Sequence, residues 1–150
     1  MYLQHLFGLD GRTALVTGGS SGIGRAITLA LAGAGAHVLV AARTASAIDE
    51  TVAAVRAAGG SADGIVADLS TRAGAHALAD AATEAARAVD VLVSSAGINL
   101  RPAMADLDET VWDATMTVNL EAPFLLGQRL APAMVERGYG RLVHVSSHQA

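Results

Sequence analysis

The segment Thr17-Gly18-Gly19-Ser20-Ser21-Gly22-Ile23-Gly24 sets three glycines at G-x-x-x-G-x-G spacing between a short apolar run and a stretch of helical period. A glycine at Gly18 permits a sharp turn out of a strand. One at Gly22 lets a ligand approach the backbone, and one at Gly24 lets a helix pack tightly on a sheet. Amide groups at the start of that helix would face an anion, so the chemistry this turn supports is the binding of a diphosphate. A flexible strand-to-helix turn is the bland alternative, and the strand-turn-helix context favours the phosphate site.

Other polar residues recur just beyond later apolar runs. Arg43 offers a planar fork suited to a phosphate, or is a plain surface arginine. Asp68 can accept hydrogen bonds from a ligand or cap a helix. Ser94-Ser95 and Ser146-Ser147 close two further runs. Asn119 interrupts a helical pattern, where its side chain competes for backbone hydrogen bonds; the plain reading is a solvent-facing residue between two helical segments. The five histidines lack metal-ligand spacing. His144 reads as packed or hydrogen-bonded in mid-strand, His148 as a loop residue, and Asp108-Glu109 as helix N-terminal charge.

Strand-length apolar runs alternate with helical segments, the rhythm of parallel βαβ units. Strands are expected at Thr13 to Thr17, His37 to Ala42, Gly64 to Ala67, Val89 to Ser94 and Arg141 to Ser146. Helices are expected at about Gly22 to Ala32, Ala47 to Ala58 with Gly59-Gly60 as its stop, and Thr71 to Arg87 with Ser70 as N-cap. A further helix from about Glu109 to Val118, capped by Asp106 or Asp108, leads into a second segment ending at Arg137, with Pro123 in its first turn and a kink at Pro132. Ala14-Leu15-Val16, Val38-Leu39-Val40 and Val91-Leu92-Val93 are unbroken apolar runs, as strands covered on both faces should be. The expected fold is an α/β, doubly wound parallel sheet (Rossmann-type), incomplete after the fifth strand. Ligands in such sheets bind beyond the carboxyl ends of the strands, where the strand order reverses.

These motifs, in this order, resemble the short-chain dehydrogenase/reductases along the whole chain. Thr17-Gly18-x-x-x-Gly22-Ile23-Gly24 matches that family's cofactor turn, and Asp68-Leu69 its acidic pair after the third strand. Ser94-Ser95-Ala96-Gly97 stands where the family carries Asn-Asn-Ala-Gly, Asn119 matches its helical asparagine, and Ser146-Ser147 matches its serine pair. The resemblance implies an NAD(P)(H)-dependent oxidoreductase interconverting a secondary alcohol and a ketone. It implies that Thr17, Gly18, Ser20, Ser21, Gly22, Ile23 and Gly24 bind the cofactor, that Asp68, with Leu69, meets the adenine amino group, and that Ser95, Ala96 and Gly97 line the nicotinamide end. Asn119 would kink its helix and hold a water of the proton relay. Ser147, preferred over Ser146, would bond the substrate oxygen. The shorter Ser95 weakens a side-chain bridge between strands or leaves it to water.

A carboxylate at the end of the second strand would bind the adenosine ribose hydroxyls and repel a 2′-phosphate. Ala42 stands there, followed by Arg43, so NADP is expected over NAD, although Ser21 replaces the basic residue that NADP-preferring relatives often carry. Leu6-Phe7-Gly8-Leu9, Gly97-Ile98-Asn99-Leu100-Arg101 and Ser147-His148-Gln149 are similar to gluconate 5-dehydrogenase-type members, which implies a sugar acid or polyol as substrate. The helical segments from Glu109 to Arg137 resemble those through which family members pair, implying a homodimer or homotetramer.

The family's reaction needs a tyrosine as general acid/base and a lysine four residues later to lower its pKa. The ten basic residues are all arginine, and the tyrosines are Tyr2 and Tyr139, with Val143 four residues beyond the latter. Tyr139 also precedes the serine pair, whereas the family's tyrosine follows it. The chain alone is therefore expected to be inactive, residues 1–150 forming the dinucleotide-binding, N-terminal part of a longer single-domain enzyme.

Composition narrows the alternatives. The chain is 52% hydrophobic but only 3% aromatic, so alanine, valine and leucine must fill the core of a layered α/β domain. Cysteine is absent, which rules out disulfides and thiol chemistry and fits the cytoplasm. The net charge of −4 and dispersed arginines argue against a nucleic-acid partner, and no apolar stretch is long enough for a membrane span. Two rivals remain. One is a non-catalytic dinucleotide-binding or scaffold protein. The other is an S-adenosylmethionine-dependent methyltransferase, against which Ala42 speaks.

Overall fold

The computed structural model describes residues 6–86 and 88–147. β1 (Thr13–Thr17), β2 (His37–Ala42), β3 (Ser61–Val66), β4 (Val91–Ser94) and β5 (Arg141–His144) form one sheet in the order β3-β2-β1-β4-β5. Every pairing is parallel. The chain steps outward from β1 to β3, then returns past β1 to lay down β4 and β5. The strand order therefore reverses between β1 and β4, where a crevice opens at the carboxyl ends.

The alternation of side chains along each strand separates two cores. On one face Leu15, Leu39 and Leu92 pack with Leu78, Ala79 and Ala82 of α3 (Arg72–Ala86) and with Leu126, Leu130 and Met134 of α5 (Ala122–Glu136). On the other face Ala14, Val16, Val38, Val40, Val91 and Val93 pack with Ala32 of α1 (Gly22–Gly33) and with Ile48, Val52 and Val55 of α2 (Ala45–Ala57). This is the doubly wound arrangement expected from the apolar runs. The small residues let the helices lie close to the sheet: a Cβ on Gly64 of β3 would collide with the Ile48 side chain of α2.

β1 and β2 have the expected bounds, and other elements shift for physical reasons. β3 begins at Ser61 rather than Gly64. Among the described residues it is an edge strand paired with β2 alone, so it tolerates the polar Ser61-Ala62-Asp63-Gly64 start. β5 ends at His144, and β4 begins at Val91. His144 is exposed at the end of β5 rather than packed in mid-strand. Thr71, not Ser70, caps α3, because Thr71 Oγ1 accepts from Gly74 N–H at 3.0 Å. Asp108, not Asp106, caps α4 (Glu109–Met116), accepting from Val111 N–H at 2.9 Å. Between α4 and α5 the helix widens into a π-helical turn, Thr117–Glu121. α5 runs through Pro132. Arg87, His148 and Gln149 lie outside the described residues.

The amino ends of the strands are pinned by Asp90. Its carboxylate is buried, accepts from Thr13 N–H at 3.0 Å, and has Arg12 and Arg137 at 3.5 and 3.8 Å. Arg12 and Arg141 stack on the Tyr139 ring, with guanidinium carbons 3.7 and 4.7 Å from its centroid. Removing the carboxylate leaves the partly buried Thr13 N–H and two guanidinium groups without this acceptor. Asp90→Ala is expected to lower stability by about 1–3 kcal/mol, read as a lower urea midpoint at unchanged m-value.

Candidate functional site

The glycine turn between β1 and α1 is built by close contacts. Gly18 has φ +65°, and a Cβ there would lie 2.9 Å from the Cα and N of Ala96, so the turn lies against the segment leaving β4. A Cβ on Gly24 would collide with the Gly18 carbonyl oxygen. Gly22 has φ +50° and open space around it, the one motif glycine that faces outward. Two buried threonines hold the turn from behind: Thr28 Oγ1 donates to Gly19 O at 3.3 Å, and Thr51 Oγ1 shares its proton between Ala47 O at 3.0 Å and Ser20 O at 3.4 Å.

The amino end of α1 is left uncapped. Ser21 makes no side-chain cap bond, and no acidic residue stands in the first turn. α4, by contrast, has both the Asp108 cap and Glu109 in its first turn. First-turn amides without a capping side chain carry the positive end of the helix dipole into the crevice, where an anion can accept from them. The residues present thus fit a diphosphate.

The crevice holds about 570 Å³, within the range of small-molecule sites. One wall is the turn itself, with Gly18, Ser20, Ser21, Gly22, Ile23 and Gly24. A second is the end of β2, with Ala41, Ala42, Arg43 and Thr44. Asp68, Leu69 and Ser70 form a third, and Ser95, Ala96, Gly97 and Ile98 a fourth, with Val118 and Val145 beside them. Of the residues singled out from sequence, Thr17, Asn119 and Ser147 do not line it. Ile98, Val145 and Leu78 are lining residues that sequence reasoning passed over, because apolar side chains beside a motif look like core.

Thr17 and Asn119 act behind the wall. Thr17 is buried and points its hydroxyl across to the β4 exit. Its oxygen accepts from Ser95 N–H and Ala96 N–H, each at 3.2 Å, and donates to Val93 O at 3.5 Å. Asn119 sits in the π-helical turn, where the widened ring brings its amide to the next segment: Oδ1 accepts from Ile98 N–H and Nδ2 donates to Ile98 O, both at 2.8 Å. A Cβ on Gly97 would lie 3.4 Å from Asn119 Oδ1. Ser94, where the resemblance expects asparagine, is buried, and its hydroxyl has no partner among the described residues. Ser147 is exposed, three residues beyond β5, whose exit places Val145 in the wall.

Asp68 is the site's carboxylate. Its Oδ1 accepts from Ser70 N–H at 3.0 Å. That bond, with the Ser70 hydroxyl and the charge of Arg43, holds its pKa below the ordinary 3.8. The folded value being the lower one, the linked stabilisation is complete above pH 3.8 and is lost as the pH falls through that lower value. The carboxylate is therefore a charged acceptor throughout the neutral range.

The comparisons with known proteins agree with this geometry. The family model for short chain dehydrogenases matches residues 12–150, and the chain belongs to that family. The chain is 38% identical over 148 residues to the 2-dehydro-3-deoxy-D-gluconate 5-dehydrogenase of Bacillus subtilis (strain 168), covering 97% of this chain and 57% of that one. It is 34% identical to the gluconate 5-dehydrogenase of Gluconobacter oxydans (strain 621H), with the same coverage. Among solved structures, a 3-oxoacyl (acyl-carrier-protein) reductase from Agrobacterium tumefaciens C58 with NADP bound superposes with a TM-score of 0.93 at 38% identity, covering 99% of this chain and 57% of that one. A putative NAD(P)-dependent gluconate 5-dehydrogenase from Beutenbergia cavernae, with NADP bound at low occupancy, gives a TM-score of 0.88 at 44% identity, covering 95% and 56%. The chain thus spans somewhat more than half the length of these relatives.

Asn119→Ala removes both bonds to Ile98. It is expected to cost about 1–2 kcal/mol locally, seen as faster hydrogen exchange at the Ile98 amide while β1 and β2 amides keep their protection.

Proposed function

We propose that the chain is the cofactor-binding part of an NADP(H)-linked oxidoreductase that interconverts a secondary alcohol and a ketone. The observation that carries this reading is the uncapped amino end of α1 behind the outward-facing Gly22, at the switch point of a parallel sheet. The turn from Gly18 to Gly24 would hold the diphosphate, Asp68 and Leu69 the adenine, and Ser95, Ala96 and Gly97 the nicotinamide end, with Thr17 tying the turn to the β4 exit from behind. The bound nicotinamide would supply the hydride acceptor or donor.

NADP is favoured over NAD by the end of β2, where Ala42 and Arg43 line the crevice and no carboxylate repels a 2′-phosphate. Relatives crystallised with NADP support the same choice. Arg43→Ala is expected to weaken NADPH binding about tenfold by loss of a charge-assisted contact and to leave NADH binding nearly unchanged, as measured by fluorescence titration.

For the substrate, Ser147 would donate a hydrogen bond to the reacting oxygen, and Asn119 would hold the Ile98 wall beside it. The gluconate dehydrogenases among the relatives favour a sugar acid or polyol. Exposed Trp112 and Phe124, 56% and 61% accessible on α4 and α5, support pairing of two copies through those helices. A cytoplasmic setting rests on the cysteine-free composition alone.

The chain by itself is proposed to bind without turning over. It has no lysine, and Tyr139 sits before β5 at the amino ends of the strands, with Arg12 and Arg141 over its ring, while the crevice opens at the carboxyl ends. Titration of the chain with NADPH, joined to a dehydrogenase assay on gluconate and simple polyols, tests this. Saturable binding without turnover is expected. Absence of binding overturns the cofactor assignment, and turnover by this chain overturns the claim that it lacks the acid/base group.

A further inference from the structure

We infer that Gly74, outside every cofactor motif, is a positioning residue for adenine recognition; this rests on the reading of Asp68 as the adenine's acceptor. Gly74 is the third residue of α3. A Cβ built there would collide with the Asp68 carbonyl oxygen and lie 2.9 Å from its carbon. Both are main-chain atoms at the exit of β3, so neither can swing aside as a flexible side chain would. The φ of Gly74 is not positive, so conformational freedom does not explain the glycine. Glycine is also a poor residue for a helix interior. The close approach is what the position requires.

That approach fixes Asp68 from two sides. Behind it, the first turn of α3, closed by the bond from Gly74 N–H to Thr71 Oγ1 at 3.0 Å, lies against its carbonyl. In front, its carboxylate takes the Ser70 N–H at 3.0 Å. The carboxylate reaches the crevice as one of its lining groups, with Arg43 across from it. A side chain at Gly74 must push apart α3 and the β3 exit, which moves Asp68 relative to the wall formed by Arg43. Hydrogen bonds weaken steeply with misalignment, so a shift of this kind falls on recognition of the 6-amino group and spares the diphosphate contacts.

The test compares NADPH with its hypoxanthine analogue, deamino-NADPH, which presents an acceptor where adenine presents a donor. The unsubstituted chain is expected to prefer NADPH by about tenfold. Gly74→Ala is expected to shrink that preference to about twofold, chiefly through weaker NADPH binding. Thr71→Ala, which releases the same turn without adding bulk, is expected to shrink it in the same direction. Gly33→Ala, whose added Cβ meets nothing within 4 Å, is expected to leave it unchanged. Equal binding of the two dinucleotides by the unsubstituted chain would remove the adenine reading itself, and this inference with it. A preference retained in folded Gly74→Ala would overturn the inference alone, and Thr71→Ala decides in the same way should the alanine variant fail to fold.

Discussion

The closeness of two backbones governs the site: the turn leaving β1 touches the segment leaving β4, with Gly18 lying against Ala96 and Gly24 against the Gly18 carbonyl. A side chain at Gly18 would drive these segments apart, and one at Gly24 would push α1 off the β1 exit. The contact brings the amino end of α1 up to the strand tips, so its free amides look into the crevice rather than out to bulk water. Thr17 completes the join by accepting from the Ser95 and Ala96 amides, tying β1 to the β4 exit. The positive end of one helix is thus enclosed by four walls that arrive from different strands.

The two ends of the sheet are treated differently by the same strands. At the amino ends, Asp90 gathers Thr13 N–H, Arg12 and Arg137, and Tyr139 has guanidinium groups over its ring, so polar atoms there are spent on one another. At the carboxyl ends, the α1 amides lack a side-chain cap, and a Cβ on Gly22 would meet nothing within 4 Å. The Ser94 hydroxyl is buried there with no partner among the described residues. Groups left unsatisfied at one end of a fold that satisfies them at the other mark that end for a ligand.

Sequence patterning revealed β1 and β2 to the residue, because both are covered on two faces and read as continuous apolar runs. It revealed the glycine turn because only glycine suits those backbone positions. It missed the start of β3, where an edge strand carries Asp63 and Gly64 and looks like a turn. The cap of α3 went to Thr71 rather than Ser70, since two adjacent hydroxyl residues satisfy the same rule and only the path out of β3 chooses between them. Asn119 was conspicuous as a poor helix former, yet its two bonds to Ile98 depend on the π-helical turn, which no local pattern announces. The motif places Thr17 among the cofactor-binding residues, whereas its hydroxyl engages the β4 exit, a long-range contact invisible in a linear chain.

The account stands on the α1 amino end as the seat of a diphosphate. The most direct measurement is amide NMR of the isotope-labelled chain during addition of NADPH. The Gly22, Ile23 and Gly24 amides should move first and furthest, downfield, as they donate to the phosphate oxygens. Saturating changes elsewhere on the sheet, with those three amides unmoved, would contradict it.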